Sequence, residues 1–135
     1  MGQKLLLSIL LLSGGSWLLF AQGDLAASVK HGKDAYTAYC QNCHQESGAG
    51  LEGVYPPLAK SDFVLKDKDG KKAIGTILKG QTGEVIVNGK KYNVDMPNQA
   101  YLTDGQIADI LNYVRNTWGN KGKVLTPALV KGERK

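Results

Sequence analysis

Apolar residues recur with a helical period in three stretches of this chain. From Leu25 to Tyr39, the residues Leu25, Val29, Gly32, Tyr36 and Tyr39 fall three and four apart, which is the stripe of an amphipathic helix. Between Lys71 and Lys79, the residues Ala73, Ile74, Ile77 and Leu78 share one side, and Gly80 is the stop. The best-marked helix follows Thr103. Thr103 and Gln106 fit a capping box, and Leu102 with Ile107 fits the hydrophobic staple that sets how a chain enters a helix. Ile107, Ile110, Leu111, Val114 and Trp118 then build an apolar face that Gly119 ends. A short helical turn starts near Ser61. Strands are expected only in "EVIVNGKKYNV", where Asn88-Gly89 separates two runs of strand formers as in a tight hairpin. The pattern therefore predicts an all-α domain with one small hairpin.

What lies between these segments is irregular. Residues 45–60, "QESGAGLEGVYPPLAK", read as a loop, and residues 121–135 show no period and read as a flexible basic tail. At the other end Lys4 is the only charge before "LLLSILLLSGGSWLLF", followed by Ala21 and Gly23. This is the layout of a secretory signal peptide over residues 1–23, with cleavage before Asp24. Cleavage after Ala21 and an uncleaved anchor stay open as alternatives. The absence of a cysteine after the apolar run excludes a lipoprotein. Residues 24–120 are enough for one compact domain and too few for two.

The formal net charge is +5. Lysines are spread along the chain, which fits either a solvated surface or a docking face for an acidic partner. No helix-turn-helix, zinc-finger or RNP pattern is present, so nucleic acid is not an expected partner.

The chemistry is concentrated in "YCQNCHQ", which holds the chain's two cysteines, Cys40 and Cys43, with His44 directly after the second. A structural zinc needs four ligands, and the soft candidates downstream of the leader are only these three and His31. A redox dithiol of the thioredoxin kind needs a strand before the motif, and here a helix leads in. A disulfide between Cys40 and Cys43 closes too short a loop to add much stability. Cys-x-x-Cys-His is the attachment signature of c-type haem: two thiols one turn apart reach the two vinyl groups, and the next residue lies beneath the iron. A sixth ligand follows by elimination. His31 sits on the helix leading into the motif, whereas Met96, the one methionine beyond the leader, stands in "VDMPNQA", a polar loop next to Pro97. A His/Met pair raises the potential relative to two nitrogen ligands.

With "CQNCH", "YPPL", "ILKG", "MPNQ" and "LTDGQIADILNYVRNTWGN" in this order over residues 25–119, the chain resembles the small monohaem class I cytochromes c. The resemblance implies a cytochrome c fold, in which N- and C-terminal helices cross near Gly32, Tyr36 and Tyr113 around a single covalently bound haem c. It implies His44 and Met96 as axial ligands and Pro56 as the residue whose carbonyl accepts a hydrogen bond from His44. It further implies Leu58, Leu78 and Tyr92 as haem neighbours, although each is more cheaply explained as a core residue.

By the same resemblance the protein is exported to the periplasm, or to the outer face of the cytoplasmic membrane if the leader is retained. It is expected to be a monomer with no stable membrane insertion after cleavage. It is expected to be an electron carrier rather than an enzyme, with a dehydrogenase, a copper nitrite reductase or a terminal oxidase as partner. A peroxidase-like protein in which Met96 dissociates, and a dedicated subunit of one larger enzyme, are the alternatives. Lys60, Lys79, Lys90 and Lys91 adjoin the motif and Met96 loops and are expected to form a positive ring around the docking edge.

Overall fold

The computed structural model describes residues 24–135 with their side chains, together with the helical backbone from Ser16. The signal peptide expected over residues 1–23 otherwise lies outside the described residues. Among the described residues, six helices and one hairpin follow in order: α1 Ser16–Tyr39, α2 Gln41–His44, α3 Asp62–Lys66, α4 Lys71–Lys79, β1 Val85–Val87, β2 Lys90–Tyr92, α5 Asp104–Arg115 and α6 Pro127–Glu133. None of the described helices is long and apolar enough to cross a membrane.

The dominant packing contact is between α1 and α5. Gly32 makes it possible, because a Cβ at that position would stand 1.9 Å from the Asp109 carbonyl oxygen and 2.8 Å from Tyr113 Cβ. One turn later the buried Tyr36 ring packs on Tyr113 at 5.3 Å and on Trp118 at 5.4 Å, and these two meet at 5.2 Å. Such tilted and edge-on pairs add attraction beyond their buried area. The core continues through Ile74, Ile77, Ile107, Ile110 and Val114.

Local signals explain the element ends. Thr103 Oγ1 accepts from the Gln106 backbone N–H while Gln106 Oε1 accepts from the Thr103 N–H, which completes the expected capping box. α5 stops at Arg115, one turn short of Trp118. The chain then turns through two residues of left-handed backbone, Trp118 at φ 55° and Gly119 at φ 85°, so Trp118 joins the aromatic cluster from this turn and not from the helix face. In the hairpin Val85 pairs with Tyr92 and Val87 with Lys90, and Asn88 and Gly89 both take positive φ, as the tight turn requires.

The flexible tail expected over residues 121–135 is instead a docked segment. Thr126 caps α6 by accepting from the Leu129 N–H, and Pro127 occupies its first turn. Leu125 and Val130 are buried. Asn112 pairs with both backbone groups of Leu125, and Arg134 donates to Asp104 and to the carbonyls of Ala100 and Leu102. A seven-residue helix held by two apolar side chains and polar clamps has no hydrophobic period to read.

Gly32→Ala should lower global stability by about 3 kcal/mol, since the added methyl meets backbone that cannot swing aside. Denaturant unfolding checks this, and an unchanged midpoint would mean that the α1–α5 contact is looser than described.

Candidate cofactor site

α1 delivers the cysteine motif to a cavity of about 310 Å³ whose walls are mostly apolar. Cys40 follows α1 directly, and its N–H bonds to the Tyr36 carbonyl at 2.8 Å. The chain then makes one more turn, with the His44 N–H donating to the Cys40 carbonyl at 3.0 Å, so both thiols and the imidazole fall within α2 and its cap. Gln45 breaks the helix at φ 64°, and the Tyr36 hydroxyl holds that break by donating to the Gln45 carbonyl at 2.7 Å.

The loop after the motif folds back over His44. Leu58 and Ala59 donate to the Gly48 carbonyl, and Asn120 from beyond α5 donates to the carbonyls of Leu58 and Val114. These bonds bring the Pro56 carbonyl to 2.9 Å from His44 Nδ1. Nδ1–H is therefore the donor and Nε2 keeps its lone pair. Burial holds the imidazole pKa below its usual value, with the Pro56 bond opposing, so the neutral ring is favoured. Neutral imidazole with a fixed tautomer is what a metal ligand needs.

Met96 reaches the same cavity from the loop that follows the hairpin. Its backbone exchanges two 2.9 Å hydrogen bonds with Gln81, just past the end of α4. Gly80 permits this approach, because at φ 78° an added Cβ would lie 2.6 Å from the Met96 carbonyl oxygen.

Cys40 and Cys43 are free thiols, and burial, followed by the charge of Cys43, pushes the Cys40 pKa up to about 12. A thiol so reluctant to ionise is a poor redox nucleophile. Among the described residues no three His, Cys, Asp or Glu side chains are grouped to hold a metal ion.

Of the residues singled out in the sequence, Cys40, Cys43, His44, Pro56, Leu58, Tyr92 and Met96 all line this one cavity. Leu78 is buried in the core but is not on the cavity wall, and Ile77 takes that place. His31 is exposed and lies 4.0 Å from Asp109, away from the cavity. The period of α4 marked its apolar side without dividing it between core and cavity. Ser61, Val64, Ile110 and Arg115 also line the wall, and only Ile110 had a sequence signal, as part of the α5 face. The lysines expected around the site differ among themselves. Lys90 is ion-paired with Glu52 and Lys91 with Glu84, so the hairpin carries balanced charge.

The donor set suits haem: two thiols and a neutral imidazole in one turn, a thioether on the same cavity, and apolar walls. Comparison with known proteins agrees. The Cytochrome c family matches residues 29–118. The chain is 38% identical over 104 residues to cytochrome c-552 of Thermus thermophilus, covering 76% of this chain and 70% of that protein. It is 34% identical to the cytochrome c subunit of the quinone alcohol dehydrogenase of Gluconacetobacter polyoxogenes, over 76% of this chain and 21% of that subunit. It is 29% identical to the gluconate 2-dehydrogenase cytochrome c subunit of Pantoea cypripedii, over 84% of this chain and 27% of the subunit. The chain belongs to the cytochrome c family, whose members carry covalently bound haem c and transfer electrons.

The hairpin that covers the cavity is tied to α3 by a reciprocal pair: Asp62 Oδ1 accepts from the Asn88 N–H and Asn88 Oδ1 from the Asp62 N–H, each at 2.8 Å. The Asn88 N–H, with Lys66, holds the Asp62 carboxyl below its usual pKa. A depressed folded-state pKa contributes stability above the unfolded value, about 3.9, and that contribution is lost as pH falls through the folded value. Amide exchange in residues 85–92 should therefore quicken, relative to the core, below about pH 4. Asp62→Ala should reproduce this at neutral pH, and equal protection in the variant would show that the pair does not hold the hairpin.

Proposed function

We propose that this protein is a one-electron carrier with a single haem c, in which Cys40 and Cys43 form the thioether anchors and His44 and Met96 are the axial ligands. The observation that carries the reading is the convergence of both thiols, the Pro56-oriented His44 and Met96 on one apolar cavity. Bound there, haem supplies an iron that cycles between ferric and ferrous states. His44 supplies Nε2, kept in one tautomer by the Pro56 carbonyl. Met96 supplies a thioether that favours the reduced iron. Val85, Val87 and Tyr92 from the hairpin add apolar wall to the same cavity. With His44 and Met96 both committed to a bound iron, the chain would leave no position for a substrate, which supports transfer rather than catalysis.

The carrier is exported, works in the periplasm as a monomer, and exchanges electrons with a dehydrogenase, nitrite reductase or terminal oxidase. A second reading, a dedicated subunit of one dehydrogenase, is favoured by the similarity to two dehydrogenase cytochrome subunits. Co-purification from native membranes separates the two: a stoichiometric dehydrogenase complex supports the subunit, and free protein supports the carrier.

The exported protein should give a haem-stained band in denaturing electrophoresis that disappears when Cys40 and Cys43 are both changed to Ser. Oxidised protein should show the weak near-infrared sulfur-to-iron band, and Met96→Ala should abolish it and admit carbon monoxide to the reduced iron. Rapid carbon monoxide binding by the wild type at neutral pH would sink the carrier reading in favour of a catalytic one.

Because Lys90 and Lys91 are already paired, charge reversal at the exposed Lys60 and Lys79 should slow partner reduction at low salt more than reversal at Lys90 and Lys91. Stopped-flow rates between about 0.01 and 1 M salt measure this. A rate insensitive to all four would place recognition on apolar contacts.

A further inference from the structure

Residues 93–103 carry Met96 from the hairpin to α5 and form no helix or strand of their own apart from the Gln81–Met96 bridge. That bridge holds their first half. Their second half is held by bonds to other elements. The Gln99 N–H donates to the Ile77 carbonyl on α4 at 2.7 Å, and the Leu102 N–H donates to the Gln99 carbonyl at 3.0 Å. Arg134 closes the series from the tail: its Nε donates to Asp104 at 2.5 Å, and its Nη1 and Nη2 donate to the carbonyls of Ala100 and Leu102 at 2.8 and 2.5 Å.

This guanidinium is placed by α6, which is fixed without help from the cavity. Arg134 is the C-cap of α6, Val130 one turn earlier is fully buried, and the neighbouring Glu133 pairs with Lys71 at the start of α4 at 3.7 Å. Both α6 and Arg134 lie beyond residue 118, where the match to the family ends. A planar fork that grips two carbonyls and a carboxylate fixes three points at once, which a single ammonium does not do. The Arg134 and Asp104 side chains are 30% and 28% exposed, so the grip is better shielded from water than an ordinary surface ion pair.

We propose that Arg134 is a positioning residue for Met96, and that the docked tail is a strap which sets how readily Met96 leaves the iron; the proposal rests on the axial-ligand reading above. Met96 withdraws only when its loop moves outward. The loop is short and tethered to the hairpin at one end and to α5 at the other, so that movement draws on the segment from Ala100 to Leu102 and breaks the bonds to Arg134. A ligand from solution that replaces Met96 therefore competes with the Arg134 fork as well as with the thioether. The carrier state, with its sixth position closed, is thus held in part by a residue at the far end of the chain that does not line the cavity.

The test titrates imidazole into the oxidised holoprotein and follows loss of the near-infrared sulfur-to-iron band. Arg134→Gln should keep that band in buffer but bind imidazole about tenfold more tightly, the effect of losing one charge-assisted bond that the loop must otherwise break. Arg134→Lys, which keeps the charge and loses the fork, should lie between the two. Amide exchange supplies a readout independent of the iron: the N–H groups of Met96, Gln99 and Leu102 should exchange faster in Arg134→Gln, while those of residues 85–92 stay as in the wild type. Ala108→Gly is the control for general destabilisation, because Ala108 is buried on α5 but does not line the cavity. It should lower the unfolding midpoint and leave imidazole affinity unchanged. Wild-type affinity and exchange in Arg134→Gln would overturn the proposal, and so would an equal rise in affinity in Ala108→Gly. A wild-type protein without the near-infrared band would instead overturn the assignment of Met96 as ligand, so the two failures are distinguishable.

Discussion

Everything about the cavity depends on how closely α1 and α5 cross at Gly32. Without a side chain there, the Asp109 carbonyl comes within a distance that any Cβ would forbid. That approach brings Tyr36, Tyr113 and Trp118 into mutual contact. It also sets two edges of the site together. The turn that follows α1, α2 with its cap, presents Cys40, Cys43 and His44, and α5 presents Ile110, Leu111 and Val114 on the cavity wall. A single achiral residue thereby positions a chemical motif that begins eight residues later. The Tyr36 hydroxyl extends the link by holding the Gln45 carbonyl, at the point where the motif helix breaks.

With so small a core and no disulfide, the loops that complete the site are fixed by side chains bonding to backbone. Asn120 joins the Leu58 carbonyl to the end of α5 and accepts from the Lys60 N–H, which keeps the Pro56 segment over His44. Asp62 and Asn88 join the hairpin to α3. Arg134 ties α6 to the segment from Ala100 to Asp104, which follows the Met96 loop. Each clamp satisfies backbone groups that a short loop leaves unpaired, so it removes a desolvation cost as well as adding a bond. The folded-back tail is therefore part of the same scheme, because its last arginine constrains the chain between Met96 and α5.

These clamps mark the limit of what the sequence revealed. Regular features were legible because each has a local cause: the capping box of Thr103 and Gln106, the Asn88-Gly89 turn, the apolar side and glycine stop of α4, and the thiol-thiol-imidazole spacing. The convergence of Met96 and His44 on one cavity was reachable by elimination, since few soft ligands exist in the chain. What was not legible depends on partners distant in sequence. α6 is too short to show a period, and its stability comes from Asn112 and Arg134 reaching other elements. Lys90 and Lys91 read as free cations because nothing local reveals that Glu52 and Glu84 face them. Arg115 carries no local sign of its burial, which comes from packing alone. Leu78 and Ile77 are adjacent on one apolar side, and only the crossing of helices decides which of them faces the cavity.

Desolvation acts in one direction on the groups around the cavity. It lowers the pKa of His44 and raises those of Cys40 and Tyr36, so each is held in its neutral form. For Cys40 this suppresses the thiolate, and with it the exchange chemistry that a Cys-x-x-Cys pair performs elsewhere. For His44 it keeps the lone pair on Nε2 available at a pH where an exposed imidazole would be partly protonated. The Pro56 carbonyl pulls the other way, since it can accept from either form of the ring but bonds more strongly to the protonated one. Burial therefore secures the neutral state and the carbonyl secures the tautomer. Among the described residues on this wall, the buried Arg115 keeps its charge off the neutral donors by donating to the carbonyls of Asp67 and Lys68.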